Sequence, residues 1–243
     1  MSPRRRARPT AELLRARPLF GMIHLPALPG APRSSLGMDE LIDYALDEAA
    51  ILEEAGMDAV IVENVGDAPF FRKSVPAATV AAMTVIVREV CEQTQLAVGV
   101  NLLRNACEQA LSIASLTGAD FIRCNVVIGA YVTDQGVIEG CAAELARLRM
   151  TLAHDVAVLG DVHVKHAAPL FDVPIEDAAA DLAERGGADA VIVSGSRSPD
   201  PPSLERVVSV KAVVQAPVLV GSGVSLSNVT DFYEHADGVL IGE

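Results

Sequence analysis

The chain is predicted to fold as a closed α/β barrel of the TIM (β/α)8 type, and three observations carry that expectation. Four segments open alike and then run apolar: Gly56-Met57-Asp58 before AVIV, Gly118-Ala119-Asp120 before FIRC, Gly187-Ala188-Asp189 before AVIV, and His235-Ala236-Asp237 before GVLI. A helix that ends at Gly, with an Asp handing over to a buried strand, is the α-to-β joint of a repeating unit. Four more apolar runs, over 19–25, 96–101, 156–164 and 218–221, lie between these and are separated from them by helical patterns. All eight runs are continuously apolar rather than alternating, as parallel strands covered on both faces should be. Barrels of this kind take about 250 residues as one domain, and this chain has 243. An open doubly wound sheet is the structural alternative.

The elements follow in order. A basic start, Arg4-Arg5-Arg6 with Arg8, precedes a helical pattern from Thr10 to Arg17. It has no apolar stretch of the kind a signal peptide needs, so a cap under the barrel floor is expected. After the first strand, Asp39 to Ala55 places Leu41, Ala45, Ala49 and Leu52 on one helical face. Further on, Pro174 stands where a first helical residue belongs, with Glu176 and Asp177 in the first turn and Gly186 beyond the last. Acids near the positive end of the helix dipole and Gly at the exit both fit a helix there. A helical pattern from Ser225 to His235 follows the seventh strand, and the chain stops at Glu243, directly after the eighth. The barrel is therefore expected to lack its last helix, either because the sequence is truncated or because the N-terminal helix covers part of the gap.

Composition supports one domain over residues 1–243. Half the residues (51%) are hydrophobic, and no Pro/Ser/Gly-rich linker interrupts them. A net charge of −13 argues against nucleic-acid binding, which needs a basic face to neutralise phosphates. The longest nearly uncharged stretch, around Val75 to Val87, carries Pro76 and falls short of the roughly 20 apolar residues of a membrane span. A soluble, cytoplasmic protein with a small-molecule partner is expected, and self-association is left open. Cys91, Cys107, Cys124 and Cys141 occur singly, with no CxxC pair, and read as buried free thiols in a reducing compartment.

The Asp joints also set a common register. Five residues beyond each Asp stand Glu63, Asn125, Ser194 and Gly242, and matching strand ends on one rim are where such barrels keep their chemistry. The fifth run ends Asp161-Val162-His163-Val164-Lys165-His166. Alternation along a strand predicts that Asp161, His163 and Lys165 share one face, and three titratable groups there are costly unless they line a wet pocket or pair. A structural Asp–His or Asp–Lys pair is the plain alternative. Strand ends elsewhere supply His24, Glu63, Asn64, Asn101 with Arg104 just beyond, and Arg123 two residues before Asn125. Arg123 shares the register of Ile61, Ile192 and Leu240, so it should point inward and need a carboxylate from Glu63 or Asp161. Gly221-Ser222-Gly223 precedes the last helical pattern, and with Gly195-Ser196 and Gly242 it could cradle a phosphate at a helix N-terminus. Tight turns are the plain reading of each glycine. The GxG is no dinucleotide fingerprint, because Leu226 stands where the third Gly belongs.

GMIHLPALPGAPR (21–33), GMDAVIVENVGDAPF (56–70) and GDVHVKHA (160–167), in this order and spacing, resemble the BtpA/SgcQ family over nearly the whole chain. The resemblance implies a TIM barrel related to the ribulose-phosphate-binding barrels. It implies two functions of different kinds: a role in photosystem I biogenesis, for which the family is named, and sugar-operon enzyme activity.

The leading expectation is an enzyme of lyase, isomerase or transferase type, acting on a small phosphorylated sugar or nucleoside-like metabolite. Glu63 or Asp161 would serve as general acid or base, tuned by His163 and Lys165. His24, Asn64, Asn101, Arg123, Asn125 and Ser194 would hold the substrate, and Gly195, Gly221, Ser222, Gly223 and Gly242 its phosphate. No cofactor is firmly implied; a divalent metal on Glu63, Asp161 and His163, or a Schiff base on Lys165, are variants. The second expectation is a non-catalytic stability factor for a membrane complex.

Overall fold

The computed structural model describes residues 10–195 and 200–242; the Arg4–Arg8 stretch, Ser196 and Glu243, all considered above, lie outside them. In chain order the elements are α1 (Thr10–Arg15), β1 (Leu19–His24), α2 (Met38–Glu54), β2 (Ala59–Glu63), α3 (Ala77–Gln93), β3 (Ala97–Asn101), α4 (Cys107–Thr117) and β4 (Phe121–Cys124). Then come β5 (Ala130–Thr133), β6 (Gly136–Glu139), α5 (Ala142–Leu152), β7 (Ala157–Val162), β8 (Ala167–Pro169) and α6 (Ile175–Glu184). Last are β9 (Ala190–Ser194), α7 (Leu204–Val213), β10 (Val218–Gly221), α8 (Val229–His235) and β11 (Gly238–Ile241). Eight strands close a parallel barrel in the order β1-β11-β10-β9-β7-β4-β3-β2, so the open-sheet alternative is set aside.

Each recurrent Asp is a clamp on the floor of the barrel. The Asp120 carboxylate accepts from Val98 N (2.9 Å), and the Asp120 N–H donates to Val98 O (2.7 Å), so one residue is gripped at both polar groups. Asp58 treats Leu19 in the same way, Asp189 Val158, and Asp237 Val218. The strand before each joint is thus pinned at its first or second residue, which fixes register where a slip would turn every side chain to the wrong face.

The lumen is apolar below and polar above. Phe20, Ile61, Phe121, Leu159, Ile192, Leu219 and Leu240 fill its lower part together with Leu13 and Leu14 from α1. Phe20 meets Phe121 edge to face at 5.5 Å, and the Phe121 ring takes the space a side chain at Gly99 would need. The outward residues of the strands pack under the helices; α2 buries Leu41, Ala45 and Ala49 as its periodicity predicts.

Several boundaries differ from expectation. Pro174 is the N-cap residue of α6 rather than its first residue. α8 starts at Val229, because Asn228 folds the preceding residues into a turn by accepting from Ser225 N and donating to Gly223 O. A small antiparallel sheet, β6-β5-β8, stands outside the barrel and is an addition to the expected elements. Its hairpin pairs Thr133 with Gly136 and leaves Asp134-Gln135 as the turn, while Tyr131 and Ile138 pack on Val126 and Val164.

The expectation of four free thiols is corrected. Cys107 and Cys124 form a disulfide, and Cys141 is a buried thiol 3.6 Å from the Cys124 sulfur. The start of α4 packs on the end of β4, a tertiary contact that a spacing of 17 residues does not announce. Burial, with Glu144 and Glu108 nearby, pushes the Cys141 thiol up to about 12.

Candidate active site

Register builds the polar layer. Along neighbouring strands His24 pairs with Glu63, Glu63 with Asn101, and Asn101 with Arg123, so inward side chains of these four strands meet at one height. Arg123 donates from Nε to Asp161 Oδ1 (3.1 Å) and from Nη2 to Asp161 Oδ2 (3.0 Å), and Asn125 Nδ2 donates to the same Oδ2 at 2.7 Å. Asn101 Nδ2 donates to Arg123 O and to Asn125 Oδ1. Burial opposes the charge of Arg123, but Asp161 and Glu63 outweigh it and hold the pKa of Arg123 above its ordinary value. The inward arginine therefore finds its carboxylate in Asp161, and three donors from two side chains fix that carboxylate in place.

Above this layer opens a cavity of about 840 Å³, lined among others by Glu63, Arg104, Arg123, Asn125 and Lys165, with Val132–Gln135 of the hairpin at its edge. Arg104 is 6% exposed. Its Nη2 donates to Lys165 O, and among the described residues no carboxylate lies within ion-pair distance of it. Burial lowers the Arg104 pKa; Asp161, Asp134 and Glu63 act against that shift and Arg123 adds to it. Lys165 is also lowered, by burial first and by Arg123 next, against Glu63 and Asp161. Glu63 is 8% exposed, and His24 Nε2 stands 3.7 Å from its Oε1. Unlike Asp161 it takes no hydrogen bond from a described side chain, so its oxygens can receive a proton from a bound molecule.

Not every expected residue comes to this place. β7 ends at Val162, and His163 takes a left-handed φ of 48°, which breaks the alternation. Asp161 and Lys165 face the mouth as expected, whereas His163 enters a separate groove of about 700 Å³ on the outer flank, with Tyr131, Phe171 and Val173. There burial lowers its pKa, and Arg206 adds to the shift. The proposed metal set of Glu63, Asp161 and His163 is accordingly not brought together; among the described residues only three cysteines gather closely enough to hold an ion. Asn64 is a bracket between loops, accepting from Leu103 N (2.7 Å) and donating to Asp67 Oδ2 (3.0 Å). Ser194 is wholly buried at the end of β9, and its Oγ has no hydrogen-bond partner among the described residues.

None of the expected glycines lines this cavity. A side chain at Gly195 would strike the Asp200 backbone, one at Gly221 would meet Ile192 and Ser194, and one at Gly242 would meet Met22. No side chain larger than glycine fits at these three without a shift. Ser222 and Gly223 have φ of 71° and 68°, forming a left-handed turn ahead of a helix of seven residues.

Sequence reasoning missed the hairpin, and with it Asp134 and Gln135 at the cavity edge. Its signal was present: AYVT and GVIE around the two-residue turn Asp134-Gln135 are short β-prone runs of the kind that marks a hairpin. His166, with φ of 57°, also lines the cavity.

The BtpA family model matches residues 15–243. An uncharacterized protein of Pyrococcus horikoshii is 48% identical over 93% of this chain and 86% of its own. The Photosystem I biogenesis protein BtpA of Synechocystis is 44% identical over 92% of this chain and 78% of its own. Among solved structures, tryptophan synthase of Mycobacterium tuberculosis superposes with a TM-score of 0.59 at 20% identity, covering 96% of this chain and 85% of that one. N-(5'-phosphoribosyl)anthranilate isomerase of Pyrococcus furiosus gives 0.55 at 15% identity, covering 93% and 87%. These two share the barrel fold, and on the family match and the two relatives the chain belongs to the BtpA family.

Proposed function

We propose that the barrel mouth is the active site of an enzyme acting on a small phosphorylated sugar or nucleoside-like metabolite by acid/base chemistry. The observation that carries this is Arg104, a buried guanidinium that lines the cavity with no carboxylate of the described residues within ion-pair distance. A buried cation is costly unless an anion compensates it, and a ligand phosphate or carboxylate answers that need. Lys165, on the same wall, adds a second positive group to the anion's side of the cavity. Glu63 is the acid/base residue, with His24 behind it to exchange or steady the proton. Asp161, held by Arg123 and Asn125, is a fixed negative wall that orients the arginine and is not offered as the base. This moves the anion from the glycine turns to the arginine side of the mouth. Of the two barrels compared above, the isomerase carries a phosphoribosyl substrate in its name.

Ligand-induced stabilisation tests this with ribose 5-phosphate, ribose and inorganic phosphate as probes. A ligand at about 100 times its Kd adds about 2.7 kcal/mol, which is on the order of 5–10 °C in Tm for a chain of this size. The phosphate ester should raise Tm, ribose alone should not, and Arg104→Leu should lose the shift. A shift of equal size in Arg104→Leu, or none with any phosphate compound, overturns the proposal.

The Synechocystis relative's name favours a second reading, a non-catalytic assembly factor. It predicts that a chain carrying both Glu63→Gln and Arg104→Leu keeps its cellular role, whereas an enzyme loses it.

A further inference from the structure

Outside the mouth, the described residues hold one other cluster of ligating side chains. Cys107 opens α4, Cys124 ends β4 and Cys141 caps α5; all three are buried, and their sulfurs lie within 4.8 Å of one another. The Asn105 amide sits against them, with Oδ1 3.2 Å from the Cys107 sulfur and 3.8 Å from that of Cys124. Its orientation is fixed by Val126, whose N–H donates to Oδ1 at 2.8 Å and whose carbonyl accepts from Nδ2 at 2.9 Å.

We infer that Cys107, Cys124 and Cys141, once the Cys107–Cys124 disulfide is reduced, form a structural site for a thiophilic cation such as zinc, with Asn105 Oδ1 at the fourth position. The distances fit. Zinc bound tetrahedrally at about 2.3 Å to sulfur and about 2.1 Å to oxygen requires edges of about 3.8 Å between sulfurs and about 3.6 Å from sulfur to oxygen. Cys124 and Cys141 already stand 3.6 Å apart, and the two Asn105 distances bracket the second edge. Opening the disulfide lets Cys107 reach the same spacing. The held amide resembles the outer-sphere support that metal ligands commonly have, and thiolate ligation selects zinc or copper(I) over the hard cations.

The chemistry balances. A phosphine reductant passes two electrons to the S–S bond and is itself oxidised to the phosphine oxide, with water supplying the oxygen and the two protons, leaving two thiols. Three S–H bonds then give their protons to solvent as three metal–sulfur bonds form. Glu108 and Glu144 add negative charge around Cys141, against one lysine, Lys73, which pairs with Glu144 at 3.7 Å; that field favours a bound cation. The ion would join α4, β4 and the start of α5 one residue from both Arg123 and Asn125, so the site also braces the wall of the mouth.

The test uses the full chain, reduced anaerobically with a phosphine, loaded with zinc and desalted. One zinc per chain is expected by elemental analysis, with loss of it in Cys141→Ser and no change in Cys91→Ser, since Cys91 lies on α3 away from the cluster. Zinc-edge absorption on the unaltered chain should show three sulfur neighbours near 2.3 Å, which keeps the test independent of whether the serine variant folds. Below about 0.1 zinc per chain after reduction, or a first shell of nitrogen and oxygen, overturns the inference. So does a stoichiometry of one retained in a folded Cys141→Ser.

Discussion

Two arginines reach the same mouth and do different work. Arg123 is paired at both ends of its fork with Asp161, so it belongs to the scaffold; Arg104 has a main-chain carbonyl and an open cavity. Asp161→Leu should therefore destabilise the chain by about 3–5 kcal/mol in denaturant unfolding, because it strands a buried charge. Arg123→Met combined with Asp161→Leu should recover most of that loss. Additive costs would show that the two side chains do not act as a pair. His163 carries a pH prediction. Its folded pKa lies below the ordinary 6.5, so as pH falls the unfolded chain takes up the proton first and stability declines. Tm should thus fall between about pH 7 and pH 5, less steeply in His163→Gln than in the unaltered chain; identical slopes would place the histidine in a solvent-like setting.

Among elements, the four floor aspartates are what made the fold legible. The Asp signalled a joint because it performs one task four times, gripping the first or second residue of the preceding strand. Asp120→Ala leaves the Val98 N–H buried without a partner and should cost about 1–3 kcal/mol. Asp58→Ala, at a more exposed joint, should cost less, as chemical denaturation can measure. The element that was missed was the β6-β5-β8 sheet, since AYVT and GVIE mix apolar with polar residues and lack the continuous apolar run that marked the barrel strands. The end of β7 misled for a related reason. Alternation holds only while the strand continues, and nothing in Val162-His163-Val164 marks the left-handed residue that turns His163 outward.

At the scale of the whole molecule, the barrel and the height of its polar layer were readable because both follow from register: the five-residue offset from Asp to rim places Glu63 and Asn125 beside the cavity. It placed Ser194 and Gly242 at strand ends too, though neither lines that cavity. What register cannot supply is which rim residues share a cavity, since that depends on the hairpin over the mouth and on side-chain volume across the lumen. The molecule that results is acidic, with net charge −13, yet keeps two arginines and a lysine around one cavity. Among the described residues no helix is long and apolar enough to cross a membrane.

The most direct measurement of the central claim is turnover in a metabolite extract followed by mass spectrometry, comparing the unaltered chain with Glu63→Gln. Depletion of a phosphorylated metabolite by the former, slowed at least 100-fold in the latter as loss of a general acid/base implies, is the predicted result. Equal depletion by both, or no change in any phosphorylated species while the folded protein still fulfils its cellular role, would contradict it.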